Sequence, residues 1–302
     1  MIHGLKVMNP KGEILDLVLS DPWSSGINVK NITGISPPQS DIFIAPYGSI
    51  DGSVYVGSRV PQRNIVLTLA LMFNPQVEDS RYIVYNFFRI KDEATMLFFT
   101  DARSLMITGY VESNEVDIFS KDETATISVI CNDPWFHSEQ KNAVRFSGVM
   151  PRFEFPFWSE ADQSEMIEFG DITIDTRTVI NYKGDIQTGF VAYITFSSTN
   201  FHNVYFYNMQ TRERMTLFTD SIERITGYPL AADDEIQLST LSGQKTAYLL
   251  RNGVLYNVIS MVGKDSTWFQ LTKGDNILAI ASDYGVENIG FRLVYQDSYA
   301  GI

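Results

Sequence analysis

The sequence has a single cysteine, Cys131, which excludes an intramolecular disulfide and any metal site built from cysteines. It also lacks long apolar runs. The longest, Ile65 to Phe73, is too short to span a bilayer and already includes Thr68. Basic residues are the minority, 23 against 36 acidic ones, for a net charge of -13. That balance argues against nucleic acid or an anionic membrane as the main partner. Histidine is scarce. His3, His137 and His202 lie far apart in sequence, and no H-E-x-x-H pair is present. The opening MIHGLKVMNPKGE has neither a long apolar core nor a cleavage signature, so no signal peptide is expected and synthesis is expected in a reducing cytoplasm. No G-x-S-x-G, Walker A or G-x-G-x-x-G motif occurs.

What is present reads as strands. Hydrophobic residues make up 44% and charged residues 20%, a globular balance, and the 13% of aromatics is a strand-like enrichment. The 302 residues suffice for two cores. Ile2 to Val7 and Ile14 to Leu19 flank the turn Asn9-Pro10-Lys11-Gly12, a hairpin signal. From Ile27 to Gln62, glycines and prolines interrupt short apolar pieces such as Ile42-Phe43-Ile44 and Val54-Tyr55-Val56. That segment cannot bury a core of its own, and hairpins or loops reaching outward are expected. Arg63 to Met72 predicts a strand with both faces covered, followed by a helix over Asp79 to Lys91. Asp79 or Ser80 is expected to cap that helix, and Ile83, Val84, Phe87 and Phe88 to form its buried stripe. Strands return at Thr95 to Thr100, Leu105 to Val111 and Glu112 to Phe119.

Thr124 to Cys131 predicts the strand that closes this first domain, and Asn132-Asp133-Pro134 ends it, because proline cannot donate to a sheet ladder. Domains are therefore expected at 1–133 and 134–302. In the second, about ten short strands with regular turns read as a β-sandwich without helices. They include Met166 to Phe169 and Trp268 to Leu271, and Asn252-Gly253 carries the best hairpin signal.

Candidate chemistry is thin. Each histidine reads more readily as a surface or turn residue than as a general base, since no nucleophile motif accompanies it. Asp233-Asp234-Glu235 lacks the alternating acids of a calcium loop and reads as a solvated turn. Gly48 to Gly52 lacks the lysine and the context of a phosphate loop and reads as a turn. Asp171 with Asp175, or Glu165 with Glu168, is the kind of carboxylate pair that arises by chance in an acidic chain. Core packing outweighs a reactive thiol at Cys131, and outweighs sugar stacking at Trp135-Phe136, Phe157-Trp158 and Trp268-Phe269. No catalytic, cofactor-binding or metal-binding residue is assigned, and no enzyme activity is expected.

Several motifs in order resemble the distal tail protein family of long-tailed bacteriophages. They are Gly34, Gly48, Asp51-Gly52, Arg63-Asn64-Ile65 and Cys131-Asn132-Asp133-Pro134-Trp135, then Ile180 to Asp185, Ser266 to Asn276, and Tyr295 to Ile302. The resemblance covers nearly the whole chain. It implies a mainly β protein whose first, ring-forming domain carries one helix and whose second, a galectin-like β-sandwich, projects outward. It also implies a six-membered ring at the virion tail tip. The implied partners are further copies of the chain, the tail tube protein, the tail-tip hub protein and, in some members, receptor-binding proteins. DNA would only pass through the lumen. The histidine, asparagine, arginine and tryptophan set of galectin sugar sites is not completed around His202-Asn203, so sugar binding does not carry over. Recognition of host glycans by the second domain is the competing reading. Exposed strand edges in Ile27 to Gln62 suit pairing between copies. Six copies would carry 6 × (-13) = -78 formal charges, and acids facing the channel would keep DNA from sticking. Neutralising them should slow DNA ejection, and an unchanged ejection rate would discard this charge argument.

Overall fold

The computed structural model describes residues 1–72, 76–151, 170–173 and 176–302, and it is mainly β with antiparallel strand pairing. The chain forms two compact units, Met1–Gln140 with Ser298–Ile302, and Lys141–Asp297. It leaves the first unit after Gln140 and comes back to it at Ser298. Phe136–Ser138 pairs with both Ser104–Asp117 and Ser298–Tyr299, so residues on either side of the second unit share the first sheet.

Among the described residues the first unit holds a nine-stranded sheet and, apart from it, a two-stranded hairpin. Its main path runs Ile14–Val18, Ile2–Met8, Glu93–Thr100, Ser104–Asp117, Thr124–Cys131, Arg63–Leu71, Ile27–Thr33. The opening hairpin forms where predicted, and the Asn9 side-chain oxygen accepts from the backbone N–H groups of Lys11 (3.1 Å) and Glu13 (3.0 Å) to hold its turn. On Arg63–Leu71 the residues Ile65, Leu67, Leu69 and Leu71 are buried, whereas Val66, Thr68 and Ala70 are only half-buried. One face is covered rather than two. The two strands predicted between Leu105 and Phe119 are a single strand, Ser104–Asp117, with a bulge between Val111 and Ser113 that keeps pairing continuous through the apparent break.

The helix is Val77–Phe87, starting earlier and ending earlier than predicted. Gln76 stands at the N-cap without a side-chain cap, while Glu78 and Asp79 fall in the positive first turn. Arg89 and Lys91 lie beyond its end. Buried Ser80 does not cap; its hydroxyl donates to the carbonyl of Met72 at 2.9 Å. Val84 and Phe88 are buried, and Ile83 and Phe87 pack at the margin of the same core.

Arg63 sits on the inward face of its strand in line with Ile65 and is 3% exposed. Its Nε donates to the carbonyl of Pro134 at 2.7 Å, and Nη1 to those of Gly34 (2.7 Å) and Ser36 (2.9 Å). Nη2 donates to the carbonyl of Ala300 at 2.6 Å, and the guanidinium lies 4.6 Å from the Phe136 ring centre. Burial lowers its pKa, with the negative groups nearby opposing that shift. Gly34 makes the approach possible. Its φ is +81°, and a Cβ there would lie 2.0 Å from the carbonyl oxygen of Asn64.

The second unit stacks two sheets over one core. The larger orders Gly170–Thr173, Asn142–Pro151, Ile289–Tyr295, Phe190–Phe196, Glu235–Ser239, Thr246–Arg251 and Val254–Asn257. The smaller orders Arg177–Tyr182, Gly274–Ala281, Val204–Asn208 and Glu213–Leu217. Phe190, Ile194 and Phe291 from the first meet Ile180, Phe206 and Leu278 from the second in one buried cluster, as in a sandwich. Asn252 and Gly253 make the predicted tight turn, with φ of 49° and 78°.

Two expectations fail in this unit. Trp268 to Leu271 is not a strand: only Leu271 pairs, in a single bridge with Thr188, and Phe269 fills the core from a loop. A second helix, Asp220–Thr226, was not foreseen. It is short and buries only Ile222, too little to leave a 3.6-residue period in the sequence. Phe153 to Trp158 and Met166 to Phe169 lie outside the described residues.

Replacing Arg63 by Met should lower the unfolding free energy by about 3 kcal/mol, because four carbonyls lose their charged donor at once. Lysine should not rescue it, lacking the planar fork. Gly34→Ala should destabilise comparably in the same denaturant titration, and a loss below about 0.5 kcal/mol for both would contradict this account.

Candidate assembly surface

The segment punctuated by glycine and proline divides. Ile27–Thr33 pairs with Arg63–Leu71 in the first sheet and buries Ile27, against the expectation that it reaches outward. Only Asp41–Pro46 with Ser53–Arg59 folds as a two-stranded hairpin, paired to no other strand among the described residues. Its turn closes with Tyr47 N–H donating to the carbonyl of Gly52, whose φ is +109°. Polar trim is slight: Arg59 Nε meets Asp41 at 3.1 Å, and Tyr55 and Ser58 hydroxyls lie 2.7 Å apart. The apolar side chains are left in the open. Ile42, Ile44, Tyr55 and Val56 are each more than 60% exposed, and Phe43 and Val54 are exposed as well. An isolated hairpin is marginal in water, and this one carries an apolar surface that nothing in its own unit covers. Ile14–Val18 and Ile27–Thr33 end the main path of the first sheet, and Phe119, between Ser104–Asp117 and Thr124–Cys131, is 95% exposed.

The titratable groups are spoken for locally. His3 and the Met1 amino group both contact Asp101. His137 lies between Asp133 (2.9 Å) and the Ser298 hydroxyl (3.0 Å), bracing the strand pair at the exit of the first unit. Asp234 is not in a solvated turn. It is 3% exposed and paired with Arg251 at 2.9 and 2.5 Å, and it also accepts from the backbone of Ala231. Burial pushes the Cys131 thiol up to about 12, keeping it in the unreactive protonated form. Glu165, Glu168 and Asp175 lie outside the described residues, and Gly48 to Gly52 is the hairpin turn. Phe136 and Phe269 are buried as core rings, with Trp268 packed alongside the latter.

A polar cluster in the second unit was passed over in sequence because its members come from separate segments. His202 Nδ1 lies 2.6 Å from Asp283 and Nε2 3.3 Å from Asp220. Asn203 and Tyr205 also donate to Asp283, both at 2.7 Å, and Tyr284 stacks on the imidazole at 5.9 Å. The only hint in the sequence was His202-Asn203. Hydrogen bonding to Asp283 and then Asp220 raises the imidazole pKa above 6.5.

No family profile matches the chain, and no curated protein sequence matches it. Solved structures do. The crystal structure of the Dit protein (gp 19.1) of phage SPP1 superposes with a TM-score of 0.63 over 97% of this chain and 98% of that one, at 12% identity. A chain of the phage P2 baseplate in its activated conformation superposes with a TM-score of 0.52 over the full length of both, at 10% identity. This chain therefore has the fold of a Dit-like phage tail protein.

A nuclear magnetic resonance titration should place the His202 midpoint above 6.5, and Asp283→Asn should bring it down. Because the folded pKa is raised, the stabilisation is full below the unfolded value and is lost as pH rises through the folded one. A midpoint at or below 6.5 in the intact chain would refute the arrangement.

Proposed function

We propose that this protein is a structural component of a phage tail tip or baseplate. Six copies form a ring that joins the tail tube to the tail-tip hub and the host-adhesion apparatus, with DNA passing through the centre. Its side chains carry out no reaction in this role. The full-length likeness to SPP1 Dit, described as a paradigm of the hub adsorption apparatus in phages infecting Gram-positive hosts, supports the setting.

The observation that carries the ring is the uncovered hairpin, Asp41–Pro46 with Ser53–Arg59. A patch that finds no cover at home can be covered by a different surface of a neighbouring copy, and such head-to-tail contacts close into rings when the rotation permits. Each of its large apolar side chains fully covered by a neighbour would contribute roughly 1.5–3 kcal/mol. The flanking sheet edges offer further backbone pairing between copies. In this role the tube and hub proteins are its neighbours, and receptor-binding proteins attach in some settings.

A second reading, glycan recognition by the second unit, is favoured by a cavity of about 330 Å³ where Tyr284 borders His202, Asp220 and Glu223. One experiment separates the two. Native mass spectrometry of the purified chain should show a species six times the 34.2 kDa protomer mass. The double substitution Ile44→Glu, Tyr55→Glu should leave a folded single subunit, because neither side chain is buried within the chain. A wild-type chain that stays single at high concentration and binds glycans would overturn the ring and favour the second reading.

A further inference from the structure

The hairpin of the first unit has no side suited to water. Its strand Asp41–Pro46 alternates regularly, and the extra residue of its irregular pairing, Val56, lies on the other strand. Residues directly opposite one another on paired strands share a face. Ile42 stands opposite Ser58 and Ile44 opposite Tyr55, so these four share one face, along which the Tyr55 and Ser58 hydroxyls meet at 2.7 Å. Asp41 stands opposite Arg59, Phe43 opposite Gly57 and Ala45 opposite Val54, and these make up the other face. There Arg59 pairs with Asp41 at 3.1 Å, and its guanidinium lies 5.9 Å from the Phe43 ring centre.

Both faces are apolar and both are open. Ile42, Ile44 and Tyr55 are exposed on the first, and Phe43 (48%) and Val54 (44%) on the second. The sequence has the matching pattern. Ile42-Phe43-Ile44-Ala45 and Val54-Tyr55-Val56 are unbroken apolar runs, which mark strands covered on both sides rather than strands with one wet face. Among the described residues the two strands pair only with each other, so the outer edges of the hairpin are unpaired as well.

Docking by one face alone would leave the other uncovered in every copy of a ring. An open apolar face beside an unpaired strand edge is an aggregation site. Its cover therefore has to arrive when the chain assembles. Obligate interfaces between copies are the most apolar kind, whereas partners that join later meet more polar surfaces. The occupant that fits both faces is a second copy of this chain.

We propose that the hairpin is a wedge inserted between parts of neighbouring copies, which cover Ile42, Ile44 and Tyr55 on one face and Phe43 and Val54 on the other. The wedge rests on the ring proposed above; it uses both faces in building that ring and leaves neither for the tube or hub protein. Native mass spectrometry of full-length variants tests it. Phe43→Glu, Val54→Glu should abolish the hexamer as completely as Ile44→Glu, Tyr55→Glu does. Both variants should remain folded single subunits by circular dichroism, since none of the four side chains is buried within the chain. Thiol labelling reads the same faces without added charge. Phe43→Cys and Ile44→Cys should each react with iodoacetamide at least about tenfold more slowly in the hexamer than in the single subunit made by the opposite-face glutamate pair. The native Cys131 is buried and does not contribute. A hexamer formed by the Phe43→Glu, Val54→Glu chain, or a Phe43→Cys thiol equally reactive in hexamer and single subunit, would overturn the wedge and leave the ring standing. A wild-type chain that forms no hexamer would remove ring and wedge together.

Discussion

One buried guanidinium ties the first unit together. Arg63 reaches carbonyls at Gly34, Ser36, Pro134 and Ala300, the last of them 237 residues from it in sequence. A charge taken out of water is costly unless its donors are met, and here three nitrogens share four acceptors. The carbonyls belong to irregular backbone with no ladder partner of its own, so the side chain does for them what a neighbouring strand does elsewhere. Phe136 beneath the guanidinium and Gly34 pressed against Asn64 then follow as requirements of fit.

The second unit is built on a different principle. Its core is aromatic and continuous between two sheets, with Phe190, Phe206 and Phe269 in mutual contact at ring separations of 5.0 to 5.6 Å. Outside that aromatic core, one polar cluster gathers around His202. A sandwich with such a core can vary its loops and outward faces without disturbing its packing, because they contribute little to burial.

Local patterns were legible and distant coincidences were not. The opening hairpin, the exposed hairpin at Asp41 to Arg59 and the Asn252-Gly253 turn follow from nearest-neighbour chemistry, and each lies where the sequence implies. Trp268 to Leu271 alternates like a strand, yet its alternation reflects side chains plugging a core from a loop. The bulge between Val111 and Ser113 looked like a strand end because a slip of one residue reverses the pattern of faces. Gly34, Arg63, Pro134 and Ala300 all stood within the motifs that resemble the distal tail family. Nothing in their spacing told that they meet at one side chain. The sites in the second unit were equally hidden, since a carboxylate and an imidazole 81 residues apart leave no mark on a one-dimensional pattern.

The return of the chain to its starting sheet bears on biosynthesis. Ser298 and Tyr299 supply a short strand beside Phe136, Ala300 supplies an acceptor to Arg63, and Ile302 donates to the carbonyl of Ile35. A nascent polypeptide emerging from the ribosome therefore makes most of the first unit early but cannot seal it until the second has been translated. Prematurely terminated products lack that seal, and their Arg63 keeps a donor with nothing to bind. That segment thus couples completion of the first unit to synthesis of the second.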